Sequence, residues 1–204
     1  MALDTMKHIF RKGQSSDQPT FILLHGTGGD ESDVFPLALR LNPNYNMLGV
    51  KGNVDENGMT RFFKRHGEGQ YDWKDLEERG TELYEFLQAA AKEYDFDLEN
   101  AILVGFSNGT NIAINLLLRE ETKFAKALLF AGLYPTHIDH VKDLSGTDIY
   151  LSMGTHDPIV PVSESERLID LFQRSGANVT THWTQSHGIT EESLNEAVKV
   201  VNEQ

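Results

Sequence analysis

Five residues in the middle of the chain have the types and spacing of a serine nucleophile in a tight turn. Residues 105–109 read Gly-Phe-Ser-Asn-Gly and fit the pattern G-x-S-x-G, in which glycines leave room beside the serine. An apolar run, 101–104, precedes the pattern, and a helical pattern begins near Thr110. A strand, a strained turn and a helix in this order expose the hydroxyl at the carboxyl edge of a sheet. We therefore predict that Ser107 is a nucleophile; the alternative is an ordinary strand-to-helix turn.

A serine hydroxyl is a weak nucleophile at neutral pH and needs a base, which a third group must orient. Of the eight histidines, only His187 sits in a short loop between the last predicted strand and the last predicted helix. Asp157 lies in a turn directly after another predicted strand, and hence at the same sheet edge. We predict a triad in the chain order Ser107, Asp157, His187. A plain Asp-Pro turn and a loop histidine are the alternatives.

Acyl transfer also needs backbone N–H groups that bind the oxyanion of the tetrahedral intermediate. The residue after the nucleophile, Asn108, is predicted to supply one of them. A glycine-rich turn, His-Gly-Thr-Gly-Gly at 25–29, follows the apolar run 21–24, and we predict that the N–H of Thr27 supplies the other. A phosphate-binding loop is the alternative, but the turn has neither G-x-G-x-x-G nor the lysine of a P-loop.

Short apolar runs alternate with helical periodicities, which predicts an α/β fold with a mostly parallel central sheet and helices on both faces. Stripes of apolar residues at helical spacing span 76–94 and 194–201. Ser163 and Glu166 form a capping-box pattern ahead of another helix, which Gly176 ends. The length of 204 residues predicts one domain, 1–204. The predicted strands are 20–25, 46–50, 101–106, 125–131, 148–153 and 178–183, with an antiparallel start near 7–11.

Two connections bear on access to the predicted site. Residues 51–72 are polar and contain glycines, so we predict a long irregular loop that covers the site. Its pair Phe62 and Phe63 is a candidate apolar wall of the substrate pocket; the alternative is that one of them packs into the core. Residues 132–147, between two predicted strands, are too few for a cap domain.

Composition narrows the class of partner. Lys plus Arg number 18 against 31 Asp plus Glu, a net charge of −13 that disfavours nucleic acid and anionic membranes. The chain has no cysteine, which excludes disulfides, thiolate metal sites and a cysteine nucleophile. No further ligands accompany His137 and His140, so we expect no metal, and the predicted chemistry needs no cofactor. The start of the sequence lacks the pattern of a secretory signal, which favours the cytoplasm.

Five segments together resemble the phospholipase/carboxylesterase family of α/β-hydrolases, which includes acyl-protein thioesterases and small bacterial carboxylesterases. The segments are 24–31, 56–63, 105–109, 157–161 and 187–190. The resemblance is strongest to the MhqD-like group of bacterial hydrolases. It implies an α/β-hydrolase fold without a cap domain and the same triad and oxyanion donors. Members are commonly cytoplasmic and sometimes form homodimers.

The resemblance also implies an activity. We expect a serine hydrolase that cleaves carboxylic esters or thioesters of small to medium size through an acyl-enzyme. The thioesterase members carry glutamine at the position of Asn108, which leaves the acyl preference open. The alternatives are hydrolysis of carbon–carbon or lactone bonds in aromatic or quinone-related metabolism, a lysophospholipase or acyl-protein thioesterase, and a binding protein on a hydrolase scaffold.

Overall fold

The computed structural model describes residues 2–15 and 17–203, and within them the centre of the protein is a seven-stranded sheet. The strands of this sheet and of two small hairpins outside it are β1 (His8–Arg11), β2 (Thr20–Leu24), β3 (Asn46–Val50), β4 (Val54–Glu56), β5 (Met59–Arg61), β6 (Arg65–Gly67), β7 (Gln70–Tyr71), β8 (Ile102–Phe106), β9 (Lys126–Phe130), β10 (Asp148–Gly154) and β11 (Asn178–Thr184). The order across the sheet is β1-β3-β2-β8-β9-β10-β11. Within this sheet only β1 pairs antiparallel, so the predicted α/β class with a mostly parallel central sheet is confirmed.

Helices cover both faces of the sheet, because the strands are apolar on both sides. The α-helices are α1 (Phe35–Leu41), α2 (Trp73–Tyr94), α3 (Asn108–Leu118), α4 (Val162–Arg174) and α5 (Glu191–Asn202), and short 3₁₀ helices span Ala2–Thr5 and Leu98–Asn100. Alternate residues of β2 face opposite ways: Ile22 packs among side chains of α2, α3 and α4, and Phe21 among those of α1 and α5. The sheet thus separates two apolar cores.

The helix that follows the G-x-S-x-G pattern is α3, and it is buried along almost its whole length, as its apolar sequence predicts. The capping box predicted at Ser163 is wrong. α4 begins at Val162 with Pro161 as N-cap, and the Pro161 carbonyl accepts the N–H of Glu164 at 3.0 Å. Among the residues that the structure describes, a capping box is found at the start of α5, where the side chains of Thr190 and Ser193 each accept the other's backbone N–H.

Residues 51–72 are more regular than predicted, because they fold into two small hairpins, β4-β5 and β6-β7. Asn57 and Gly58 turn the first hairpin with φ values of 52° and 88°. An Asn-Gly pair is the strongest short signal for a hairpin turn, and it marks this one in the sequence. The prediction of an irregular loop is therefore wrong for this region.

The connection from β9 to β10 contains no helix in residues 131–147, all of which the structure describes. The predicted lack of a cap domain agrees with this. None of the helices in the described ranges combines the length and the apolar character that a membrane crossing requires.

Candidate active site

Ser107 sits in a strained turn between β8 and α3, with φ 51° and ψ −111°. Its N–H donates to the carbonyl of Phe130 on β9 at 2.9 Å, which ties the turn to the neighbouring strand. A Cβ atom on Gly105 would lie 2.6 Å from the backbone nitrogen of Thr110, and one on Gly109 would overlap the carbonyl of β2. Glycine on both sides of the serine is therefore a steric requirement of this turn.

The structure brings the three predicted triad residues together at the carboxyl edge of the sheet. Nδ1 of His187 lies 2.6 Å from Oδ2 of Asp157, and Nε2 of His187 lies 2.9 Å from Oγ of Ser107. Because an ionised carboxylate only accepts hydrogen bonds, Nδ1–H donates to Asp157 and Nε2 is left to accept the serine O–H. This is the arrangement in which the imidazole can take the proton of Ser107.

Asp157 is fixed more firmly than a surface carboxylate would be. Its second oxygen, Oδ1, accepts the backbone N–H groups of Ile159 at 2.7 Å and Val160 at 3.0 Å. The Asp157 side chain is 1% exposed, whereas that of His187 is 14% exposed. The carboxylate is thus buried but fully hydrogen-bonded, and the imidazole remains in reach of a substrate.

The turns after β10 and β11 are bonded to each other, which sets the spacing between Asp157 and His187. The N–H of Thr155 donates to the carbonyl of Thr184 at 2.9 Å, and that of His156 donates to Gln185 at 2.7 Å. These bonds continue the parallel pairing of the two strands past their ends. The positions of Asp157 and His187 relative to each other are therefore set by the pairing of β10 with β11.

Thr27 and Asn108, the two residues predicted to supply oxyanion donors, line the same cavity as Ser107. Asn108 is also the first residue of α3, so its N–H lies at the positive end of the helix dipole. The turn that carries Thr27 is anchored by His25, whose Nδ1 lies 2.7 Å from the carbonyl of Gly26. Nε2 of His25 accepts the N–H of Gly52 at 3.0 Å. Burial lowers the pKa of His25, which keeps the ring neutral and preserves both bonds.

The cavity beside Ser107 has a volume of about 310 Å³. The hairpin region contributes Met59, Arg61, Arg65 and Tyr71 to its wall. The prediction that Phe62 and Phe63 form this wall is wrong, because both are buried in the core at 1% and 0% exposure. The two phenylalanines instead belong to the apolar core.

The arginines of the cavity wall were missed by sequence reasoning, because a polar segment with two arginines has the composition of an exposed loop. Arg65 makes a two-pronged ion pair with Glu56, with a shortest separation of 2.9 Å, and this pair lowers the pKa of Glu56. Arg61 is 2% exposed. Its burial, with the nearby positive charge of Arg65, lowers the pKa of Arg61 to about 10. At neutral pH the wall therefore carries a buried positive charge.

A hydrogen-bonded network joins three residues that line the cavity, Tyr71, Asn111 and Leu133. The amide of Asn111 donates to the hydroxyl of Tyr71 at 2.8 Å and accepts the N–H of Leu133 at 2.7 Å, and the Tyr71 hydroxyl donates to the Leu133 carbonyl at 2.8 Å. Burial raises the pKa of Tyr71 above its ordinary value. Tyr71 is thus a fixed neutral wall residue.

The two histidines considered as metal ligands lie away from this site on the surface. His137 pairs with Asp139 at 2.7 Å, and His140 pairs with Glu120 at 3.1 Å. In the described part of the chain, no three His, Cys, Asp or Glu side chains are grouped as metal ligands would be.

Comparison with known proteins places this geometry in a family. Residues 6–203 match the family described as Phospholipase/Carboxylesterase. MhqD of Bacillus subtilis (strain 168) is 39% identical over 193 residues, which cover 94% of this chain and 96% of MhqD. The crystal structure of the Bacillus cereus carboxylesterase superposes with a TM-score of 0.95 at 42% identity, covering 98% of this chain and 95% of that one.

A second solved structure, that of YahD with malic acid, superposes with a TM-score of 0.93 at 29% identity. The match covers 98% of this chain and 99% of YahD. Sequence and structure thus agree over nearly the whole length of the relatives. The chain belongs to the phospholipase/carboxylesterase family of α/β-hydrolases and is a hydrolase of the carboxylesterase type.

Proposed function

We propose that this protein cleaves carboxylic esters or thioesters of small to medium size, with Ser107 as nucleophile, His187 as base and Asp157 as the group that orients the base. The observation that carries the proposal is the unbroken chain of hydrogen bonds from Asp157 through His187 to Ser107. It joins Ser107, in its strained turn at the sheet edge, to the imidazole of His187, whose tautomer the bond to Asp157 defines. The family membership supports ester hydrolysis as the reaction.

In the proposed mechanism, His187 removes the proton of Ser107 while Oγ attacks the acyl carbonyl carbon. The carbonyl oxygen becomes an oxyanion, which accepts hydrogen bonds from the N–H groups of Thr27 and Asn108. The intermediate collapses, and His187 gives its proton to the departing alcohol or thiol. A water molecule, deprotonated by His187, then releases the acid and regenerates Ser107. Asp157 stays ionised and stabilises the imidazolium in both halves.

The partner we propose is a small ester rather than a macromolecule. The net charge of −13 supports this, because the field of the protein repels nucleic acid and anionic membranes. A cytoplasmic location and a homodimer, as in some relatives, remain proposals. Nothing in the proposed chemistry requires a metal or a cofactor.

The nucleophile is tested with Ser107→Ala and Ser186→Ala as a matched pair. Ser186 lies beside His187 but is exposed, and its hydroxyl has no hydrogen-bond partner among the described residues. We expect Ser107→Ala to lose both p-nitrophenyl butyrate hydrolysis and labelling by a fluorophosphonate probe, with unchanged thermal unfolding. Ser186→Ala should keep both. Labelling or turnover of Ser107→Ala near the wild-type level would show that the nucleophile is elsewhere.

A further inference from the structure

Three consecutive residues at the end of β5 contact both halves of the proposed oxyanion hole. The carbonyl of Thr60 accepts the N–H of Gly28 at 2.9 Å. Nη1 of Arg61 donates to Oγ1 of Thr27 at 2.6 Å. The backbone N–H of Phe62 donates to the side-chain Oδ1 of Asn108 at 2.7 Å. One short strand thus bridges the turn after β2 and the first residue of α3.

None of these bonds uses the N–H of Thr27 or of Asn108, the two groups proposed to bind the oxyanion. The segment instead binds the hydroxyl of Thr27, the side-chain amide of Asn108 and the N–H of Gly28. The backbone N–H groups of Thr27 and Asn108 are thus left available to the oxyanion. The turn needs such support, because it contains Gly28 at φ 86° and connects directly to the sheet edge. The distance between the donors is therefore set by the position of β5.

The bridging strand is itself held rigidly. Phe62 is 1% exposed, and its ring packs against that of His25 with centroids 4.5 Å apart and a tilt of 31° between the ring planes. Nε of Arg61 donates to the carbonyl of Phe63 at 3.2 Å, and its guanidinium lies 5.3 Å from the centre of the Phe63 ring. A hydrogen bond from a guanidinium in so buried a place is stronger than one at the surface.

Asn108 supplies an independent sign that its side chain serves this bridge. It is 1% exposed, and its Nδ2 is buried with no hydrogen-bond partner among the described residues. A buried amide with an unpaired N–H costs free energy, so packing alone does not explain an asparagine at this position. Its carbonyl oxygen, however, satisfies the N–H of Phe62, which the core would otherwise bury unpaired. The Asn108 side chain therefore binds the segment Thr60–Phe62 through the N–H of Phe62.

We propose that the segment Thr60–Phe62 is a tie that fixes the oxyanion donors, and that Arg61 is a positioning residue which acts through the hydroxyl of Thr27. The inference rests on the proposed function, because it concerns the oxyanion of that reaction. Arg61 lines the cavity, but its hydrogen bonds go to Thr27 and Phe63 and not to Ser107, Asp157 or His187. It keeps the Thr27 N–H aimed at the oxyanion, and loosening it weakens binding of the transition state more than binding of the substrate.

The test uses Thr27→Val and Thr27→Ser, neither of which removes the backbone donor. Valine has the shape of threonine but cannot accept the hydrogen bond of Arg61, whereas serine can. We expect Thr27→Val to lower kcat by about 10-fold or more, short of the roughly 10²- to 10³-fold loss for a deleted donor. KM should change less than about twofold, since the ground state is bound as before. Thr27→Ser should recover most of the lost kcat.

Two further measurements separate positioning from a structural role. The inhibition constant of phenylboronic acid, which forms a tetrahedral adduct on the serine, should rise in Thr27→Val by the same factor as kcat falls. Arg61→Met should lower kcat at least as much as Thr27→Val, because it also removes the contacts of Arg61 with Phe63 and Glu56. The double variant should be no worse than Arg61→Met, because the bond between Arg61 and Thr27 is already lost in that variant. Lys64→Ala, an exposed residue after the segment, is the control with wild-type activity.

The outcomes distinguish this inference from the proposed function. If Thr27→Val keeps wild-type kcat, or loses activity without weaker boronate binding, the tie is wrong while ester hydrolysis by Ser107 stands. If the wild-type protein neither hydrolyses esters nor takes up the fluorophosphonate probe, the proposed function fails first. If Arg61→Met does not fold, the comparison of Thr27→Val with Thr27→Ser tests the proposal by itself.

Discussion

Asp157 binds His187 through one carboxylate oxygen while two backbone N–H groups bind the other, so the contribution we propose for Asp157 is orientation of the imidazole. In Asp157→Asn the amide favours the wrong tautomer of His187, and we expect kcat to fall by roughly 10³- to 10⁴-fold. Steady-state hydrolysis of p-nitrophenyl butyrate measures this. Asp139→Asn, at a side chain 93% exposed, is the control. A loss of only a few-fold in Asp157→Asn would point to another carboxylate.

His25 makes the turn that carries Thr27 sensitive to acid. Burial lowers the pKa of His25, so the unfolded chain binds a proton more readily than the folded one. The free energy of unfolding therefore declines as pH falls below the ordinary histidine pKa, by at most about 1.4 kcal/mol per pH unit from this group. Above that pKa the group gives no pH dependence.

We expect this effect to appear as a difference between the wild type and His25→Gln, which cannot titrate. Urea unfolding at pH 7.5 and pH 5.5 gives the free energy of unfolding of each protein. The free energy of unfolding of the wild type should exceed that of His25→Gln by less at pH 5.5 than at pH 7.5. The carboxylates and the other histidines contribute equally to both proteins, so their effects cancel in this difference. An advantage that is the same at both pH values would show that His25 does not resist protonation.

At the scale of elements, the site depends on how closely β10 approaches the loop after β11. A Cβ atom on Gly154 would lie 2.5 Å from the carbonyl oxygen of Ser186, next to the base. Gly154→Ala must push the His187 loop away from Asp157, and a displacement near 1 Å costs on the order of 10²-fold in rate. Gly188→Ala, in the same loop but with open space around it, should leave kcat within about twofold.

Kinetics and thermal unfolding of the two alanine variants decide this prediction. We expect Gly154→Ala to lose far more activity than stability, because the turn can shift into solvent while the strand stays paired. Equal activity of Gly154→Ala and Gly188→Ala would mean that the spacing between β10 and the loop does not set the position of His187.

The sequence predicted the main elements because the inner strands of the central sheet, β2, β3, β8, β9 and β10, are buried on both faces and are therefore mostly apolar. The hairpins of 51–72 have no such signature, since their strands are two or three residues long and partly exposed. Phe62 and Phe63 illustrate the consequence. Their hydrophobicity indicates burial, but only the path of β5 decides between the core and the cavity. Which charges line the cavity was likewise set by tertiary packing.

At the scale of the whole molecule, the chain order of the three proposed triad residues follows from the topology. Ser107, Asp157 and His187 each come directly after a strand of the parallel part of the sheet, β8, β10 and β11. The carboxyl ends of parallel strands share one edge, so residues far apart in sequence meet there. This is why the positions of the triad residues could be predicted before their distances were known.

The carboxyl edge of the sheet has no helical cap among the residues that the structure describes, and this also limits the length of acyl chain that the site can bury. No helical cap is inserted in residues 131–147, and the cavity beside Ser107 holds about 310 Å³, near the lower end for ligand sites. An acyl chain that extends beyond this cavity gains nothing from burial, and each methylene left in water forgoes about 0.8 kcal/mol. We therefore expect p-nitrophenyl acetate or butyrate to have a higher kcat/KM than the dodecanoate or palmitate, measured below micelle-forming concentrations. An optimum at long chains would mean that the hairpins of 51–72 move to open a longer groove, and would favour a lysophospholipase or a protein-deacylating thioesterase.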